Sequence, residues 1–196
     1  MDPTFRSFND MIEYNVEWLN NEFEHNIISD SIGYADDGVY DKEPVRDFKE
    51  DIIIINKLGF LTTNSQFGVI NKKVMERAYI CGYVKTSTAE KLCIINATLG
   101  KFFQYVPLKK SLYFDDDQIS YYVAIPVTFE LPSMKAHTRV GFEHRISDEM
   151  EDALNNDSEF YTDFIEEYSE FFIIDPVCGI PFNTENGILN ALLKYA

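Results

Sequence analysis

Ile55-Asn56-Lys57-Leu58-Gly59-Phe60-Leu61-Thr62-Thr63-Asn64-Ser65-Gln66-Phe67-Gly68 is the stretch on which the fold turns. Leading into it, Val45, Phe48, Ile52 and Ile55 recur at helical spacing, Pro44 suits a first helical turn, and Gly59 supplies a left-handed stop. The four isoleucines at 52–55 carry strand propensity, but the periodicity and the stop signal outweigh that local preference. Past Gly59 the chain changes character, and residues 61–66 read as a strand entering a turn at Gly68. A helix handing over to a strand in so few residues is the pattern of an α/β or α+β fold.

Outward from that stretch the same signals recur. Ser7 and Asp10 form a capping box, and Phe8, Ile12, Val16, Leu19 and Phe23 follow at helical spacing, with a second row at Met11 and Trp18. Residues 26–42, with Gly33, Asp36, Asp37 and Gly38, read as a long loop. A strand is expected over 76–84, then a helix capped by Ser87 and Glu90 that carries Ala89, Leu92, Cys93, Ile95 and Leu99 as far as Gly100. Residues 102–106 make a short strand. Alternation over 119–131 argues for another, which Pro126 confines to an edge or a bulge, and 138–145 fits a third. Asp148 and Glu149 suit the first turn of a short helix. A helix from Ser158 sets Phe160, Phe164 and Tyr168 on one face with Phe171 near its end, and residues 171–174 read as a buried strand closed by Asp175-Pro176. A last helix from Thr184 carries Ile188, Leu189, Leu192 and Leu193. The expected architecture is a single domain over residues 1–196, with a mixed sheet flanked by five or six helices.

The 196 residues hold 33 Asp plus Glu against 17 Lys plus Arg, a formal charge of −16. That charge repels phosphates, so direct nucleic-acid binding is not expected. The excess is uneven: residues 1–98 carry 16 acids and 10 bases, residues 99–196 carry 17 and 7. From residue 146 to 178 there are 11 acids, Glu151, Asp152, Glu159 and Asp163 among them, and not one Lys or Arg. A solvated helical face is the plain account of this tract; a docking surface for a basic protein, or an acidic mimic of nucleic acid, is the sharper one. No run reaches the roughly 18–20 consecutive apolar residues of a membrane helix, and no basic-then-apolar leader opens the chain. A soluble cytoplasmic protein without membrane association is therefore expected. The 16 Phe and 12 Tyr suit core packing and also a homodimer contact. With 20 Ile and 14 Asn beside them, the usage resembles that of an AT-rich genome such as a large DNA virus, which would place the protein in host cytoplasm or virion.

Residues that could carry chemistry are few. Cys81, Cys93 and Cys178 form no CxxC pair and read as reduced, mostly buried thiols; His25, His137 and His144 lie far apart, so neither a metal nor a cofactor is expected. Asp115-Asp116-Asp117 starts like a calcium loop but meets Ser120 and Pro126 where that loop needs Gly and Glu. Glu143-His144-Arg145 alternates across a strand, so a surface pair is the simpler account. No nucleophile elbow, P-loop or dinucleotide fingerprint occurs, which weighs against an enzyme. Two candidates remain. Thr62, Thr63, Asn64, Ser65 and Gln66 are five consecutive hydrogen-bonding side chains that could ring a ligand, or could serve the strand and its turn. Asp175 ends a buried strand, where α/β sheets place ligand groups, or it caps the turn that follows.

The segment 55–68 resembles the I/L-N-x-x-G-F-x-T-x-N-S-Q-P-G motif of an uncharacterised, mainly actinobacterial domain family of unknown function. Ile174-Asp175-Pro176-Val177-Cys178-Gly179 is similar to that family's I-D-P-x-W-G segment, and the likeness extends over residues 9–196. Phe67 stands where the family has Pro, Cys178 where it has Trp and Ile180 where it often has Arg, so a ligand bound there would differ or be lost. The resemblance implies a coherent fold and no activity. Two functional expectations follow from the residues. The first is a non-enzymatic interaction or ligand-binding protein. The second is a small-molecule hydrolase or transferase in which residues 62–66 orient substrate and Asp175 acts as base, which requires the two segments to meet in space.

Overall fold

Ser7 opens the first helix as its spacing predicts. Its backbone is extended, its Oγ accepts from the Asp10 N–H at 3.2 Å, and Asp10 Oδ2 accepts from the Arg6 N–H at 2.8 Å. Replacing Ser7 with alanine should lower unfolding free energy by about 1 kcal/mol, read as a shifted urea midpoint with an unchanged slope. The computed structural model describes residues 3–20, 26–28, 31–33, 42–68, 77–111, 122–126, 137–141, 146, 148–177 and 179–195. The candidate features at Asp115-Asp116-Asp117, Glu143-His144-Arg145 and Cys178 lie outside them.

In chain order the elements are α1 (Phe8–Leu19), β1 (Ser31–Gly33), α2 (Lys42–Lys57), β2 (Leu61–Gln66), β3 (Tyr79–Lys85), α3 (Thr86–Ile94), α4 (Asn96–Leu99), β4 (Phe102–Pro107) and α5 (Leu108–Ser111). Then come β5 (Tyr122–Pro126), β6 (His137–Gly141), α6 (Asp148–Asn155), α7 (Ser158–Glu167), β7 (Tyr168–Ile174) and α8 (Ile188–Tyr195). The helix-to-strand handover at Gly59 is present, with the glycine at φ 91°. Five strands make a mixed sheet in the order β1-β2-β3-β7-β4, in which only the β1–β2 pair is parallel; β5 and β6 form a separate antiparallel pair. Six of the described helices are eight residues or longer, and the fold is a mixed α/β one, as expected.

Five local expectations need correction. The 26–42 stretch is not loop throughout, since Ser31–Gly33 adds a parallel edge strand to β2 and α2 already starts at Lys42. On α1 the buried row is Phe8, Met11, Asn15 and Leu19, while Ile12 and Val16 are only half-buried. Ser87 does not cap α3: β3 stays in the sheet as far as Lys85, opposite Tyr168, so the helix begins at Thr86 and Ser87 falls inside its first turn. Tyr168 and Phe171 belong to β7, not to the helix before it. The backbone turns extended at Tyr168 (φ −111°, ψ 160°), because a strand there pairs with β3 on one side and β4 on the other, satisfying main-chain groups that a longer helix would withdraw from both neighbours. Finally, α8 starts at Ile188, after the turns of residues 182–187.

The sheet separates two apolar clusters. Ile80, Phe103, Phe171 and Ile173 face Phe48, Ile52 and Ile55 of α2, Ala89 and Leu92 of α3, and Ile188, Leu189 and Leu192 of α8. Leu61 and Tyr83 face Phe8 and Met11 of α1, Met150 and Leu154 of α6, and Phe160, Phe164 and Ile165 of α7. Each fully buried Phe or Leu contributes roughly 1.5–3 kcal/mol, so these two layers dominate stability.

Candidate functional site

Thr62 begins the polar run, and its surroundings are closed. β2 carries a register shift between Thr62 and Asn64, which turns Thr62 toward the junction of α1 and α2. There the Thr62 Oγ1 accepts from Asn56 Nδ2 at 2.9 Å, while Asn56 Oδ1 accepts from the Thr62 N–H at 3.2 Å. Asn15 Nδ2 reaches Asn56 Oδ1 and the Thr62 carbonyl oxygen, both at 3.0 Å. The remaining Asn56 Nδ2 hydrogen serves the Ile52 carbonyl oxygen at 2.9 Å, and Asn26 Nδ2 donates to Asn15 Oδ1 at 2.6 Å. Asn15 and Asn56 are fully buried and Thr62 is 3% exposed. A net in which both amides of Asn15 and Asn56 are bonded to the chain itself ties two helices to one strand.

The rest of the run diverges. Ser65 is buried, paired with Ile80 on one side and Ile32 on the other. Asn64 and Gln66 are half-buried and occupy ladder positions beside Cys81 and Tyr79, where the Tyr79 hydroxyl donates to Asn64 Oδ1 at 3.1 Å; Thr63 is half-buried as well. These side chains are thus shared among two ladder faces and a helix junction.

Asp175 sits two strands away. Gln66 pairs with Tyr79, and Tyr79 with Ile174, so about 10 Å of sheet separates Gln66 from the residue before Asp175. The carboxylate is fully buried: Oδ2 pairs with Lys101 Nζ, and Oδ1 accepts from the Val177 N–H at 2.9 Å, which closes the turn after β7. Lys101 Nζ also donates to the Asn186 carbonyl oxygen, so one ammonium joins the ends of β4 and β7 to the turn before α8.

Contact between the two regions is made by the residues that follow each segment, through backbone and rings. The Phe182 N–H donates to the Phe67 carbonyl oxygen at 3.0 Å, and a Cβ on Gly68 would stand 2.6 Å from Ala78 N and 2.9 Å from the Ile180 carbonyl oxygen. Phe48 meets both Phe67 (5.3 Å) and Phe182 (5.1 Å) edge to face.

Sequence reading missed Asn15, Asn56 and Lys101. A signal existed for the first: Asn15 falls at i+4 from Met11 and i−4 from Leu19, so an amide occupies an apolar row. The cysteine expectation needs a correction too, because Cys93 is exposed at the end of α3. Desolvation against the cluster of Phe172 and Ile174, and then the Glu170 charge, push the half-buried Cys81 thiol up to about 12.

The acidic tract folds into α6, α7 and β7. Met150, Ala153, Leu154, Phe160, Phe164 and Ile165 turn inward, whereas Glu149, Glu151, Asp152, Glu159, Asp163, Glu166 and Glu167 are exposed. Lysines from outside the tract answer the last two, Lys109 pairing with Glu166 and Lys85 with Glu167, each at 3.2 Å. Among the described residues there is no group of three His, Cys, Asp or Glu that could hold a metal ion, and no helix is long and apolar enough to cross a membrane. No family model matches the chain, and no curated protein matches it.

Proposed function

We propose that this chain is a non-enzymatic interaction protein that docks a basic protein segment on the outer face of α6 and α7. The carrying observation is the exposed, one-signed set of Glu149, Glu151, Asp152, Glu159 and Asp163, mounted on helices whose opposite faces are locked into the core. Glu159 and Asp163 stand at i and i+4 along α7. Like charges at that spacing repel by about 0.2–0.5 kcal/mol, so this pair lowers the stability of the free protein. A cationic partner reverses that sign. At physiological salt the screening length is about 8 Å, longer than the spacing of these carboxylates along a helix, so they act on a partner together. Support for binding over a hydrolase or transferase comes from Thr62 and Asp175, whose buried polar atoms hold the chain together.

The test is a variant carrying Asp152→Asn, Glu159→Gln and Asp163→Asn, titrated with an oligolysine peptide at two salt concentrations. The expected result is a Tm at low salt equal to or above that of the parent, with peptide affinity reduced about tenfold or more and a flatter salt dependence. Peptide binding that ignores the three changes refutes the reading.

A further inference from the structure

The dipeptide Asn186-Gly187 is the single Asn-Gly in the chain and lies in the turn that launches α8. In an open peptide this pair is the most reactive setting for asparagine, because glycine leaves its amide nitrogen unhindered. That nitrogen bonds to the asparagine Cγ as it loses its proton, and the side-chain amide leaves as ammonia. Water then opens the cyclic imide at either carbonyl, giving Asp or iso-Asp.

Here the same two residues are clamped from three directions. The Gly187 N–H donates to the Thr184 carbonyl oxygen at 2.8 Å, which fixes the would-be nucleophile. Lys101 Nζ, itself paired with Asp175, donates to the Asn186 carbonyl oxygen and holds the intervening peptide. Asn190 Nδ2 donates to the Thr184 carbonyl oxygen at 2.9 Å and bridges the turn to α8. Gly187 is buried, and a Cβ there would stand 2.7 Å from the Pro181 carbonyl oxygen and nearer still to Phe182. Glycine is therefore required by packing, and the reactive dipeptide comes with it. The Asn186 side chain, by contrast, is exposed, so its amide is free to leave once the backbone yields.

We propose that Asn186-Gly187 is a fold-gated deamidation site: the clamp suppresses the reaction, and opening of the α8 turn permits it. The products differ in consequence. An Asp at 186 keeps the backbone length and lets the turn close. An iso-Asp adds a methylene to a main chain that already lacks room for a Cβ at the next residue, so the Gly187 carbonyl oxygen loses its bond from the Ala191 N–H and the opened state persists. Local opening thereby becomes irreversible.

The measurement is peptide mapping by mass spectrometry after incubation at mildly alkaline pH. It follows the gain of about one dalton at residue 186 in the whole chain, in an isolated peptide of residues 181–193, and in two variants. Asn190→Ala removes an exposed bridge without touching the core, and the double change Lys101→Met with Asp175→Leu releases the peptide from the ammonium without stranding a buried charge; circular dichroism checks that both remain folded. The folded parent should react at least about tenfold more slowly than the peptide, and Asn190→Ala should react several-fold faster than the parent. Equal rates in chain and peptide overturn the proposal. So does a slow parent whose rate neither variant changes, since the clamp would then not be the gate.

Discussion

Replacing Asn56 with alanine lowers the unfolding free energy by roughly 3–5 kcal/mol, enough to leave a protein of ordinary stability partly unfolded at 37 °C. The size follows from what is stranded. Asn56 Oδ1 is the acceptor for both Asn15 Nδ2 and the Thr62 N–H, and Asn56 Nδ2 is the donor to the Thr62 Oγ1 and the Ile52 carbonyl oxygen. Truncation leaves the Thr62 amide in a dry site, and such an orphan costs about 1–3 kcal/mol before any cavity is counted. Asn56→Asp discriminates a hydrogen-bond effect from a size effect. It is nearly isosteric and keeps the acceptor, but a carboxylate set against the Ile52 carbonyl oxygen repels it, so destabilisation comparable to that of alanine is expected. Urea unfolding followed by circular dichroism gives both numbers. An Asn56→Asp protein as stable as the parent would contradict the donor role assigned to Nδ2.

The second large effect is at the buried ion pair. Lys101→Met removes the cation and leaves the Asp175 carboxylate, fully buried, with the Val177 N–H as its remaining side-chain partner among the described residues, which should cost roughly 3–5 kcal/mol. Combining it with Asp175→Leu removes the stranded charge, and because a buried pair is offset by its own desolvation, the double variant should regain more than half of the loss. The comparison also separates the two roles of Lys101. Its bond to the Asn186 carbonyl oxygen is missing in the double variant as in the single one, so whatever is not regained combines the hold on the α8 turn with the lost Asp175 bond from the Val177 N–H. A double variant as unstable as Lys101→Met would show that the pair's charge balance is not what matters there.

The parts of this fold that can be read along the chain are those set by local chemistry. Gly59 has to stop a helix because its φ of 91° suits no side chain, and the apolar stripe of Phe48, Ile52 and Ile55 has to face one way. The Asp175 turn was legible as a cap for the same reason: a carboxylate two residues before an N–H closes that loop whatever surrounds it. What escaped was decided by partners distant in the chain. Tyr168 continues a helical pattern in sequence, yet β3 and β4 both claim the segment that follows it. Asn15 lies 41 residues from Asn56, so neither polar side chain looks committed until α1 and α2 are docked. Lys101 follows a helix stop, and it is the approach of residue 175, 74 positions later, that gives it a counter-charge. The run from 62 to 66 looked like a single feature because adjacency in sequence hides the alternation of a ladder and the shift at its bulge.

The strand order has a bearing on biosynthesis. β7 follows every other described strand of the sheet in sequence, yet it lies between β3 and β4, so no main-chain bond of the sheet joins those two until residue 168 and beyond have left the ribosome. A nascent chain halted earlier exposes two unfilled strand edges, one on each side of the gap, each already rich in aromatic and branched side chains. Translation must therefore pass residue 174 before these two edges are closed to neighbours on a polysome.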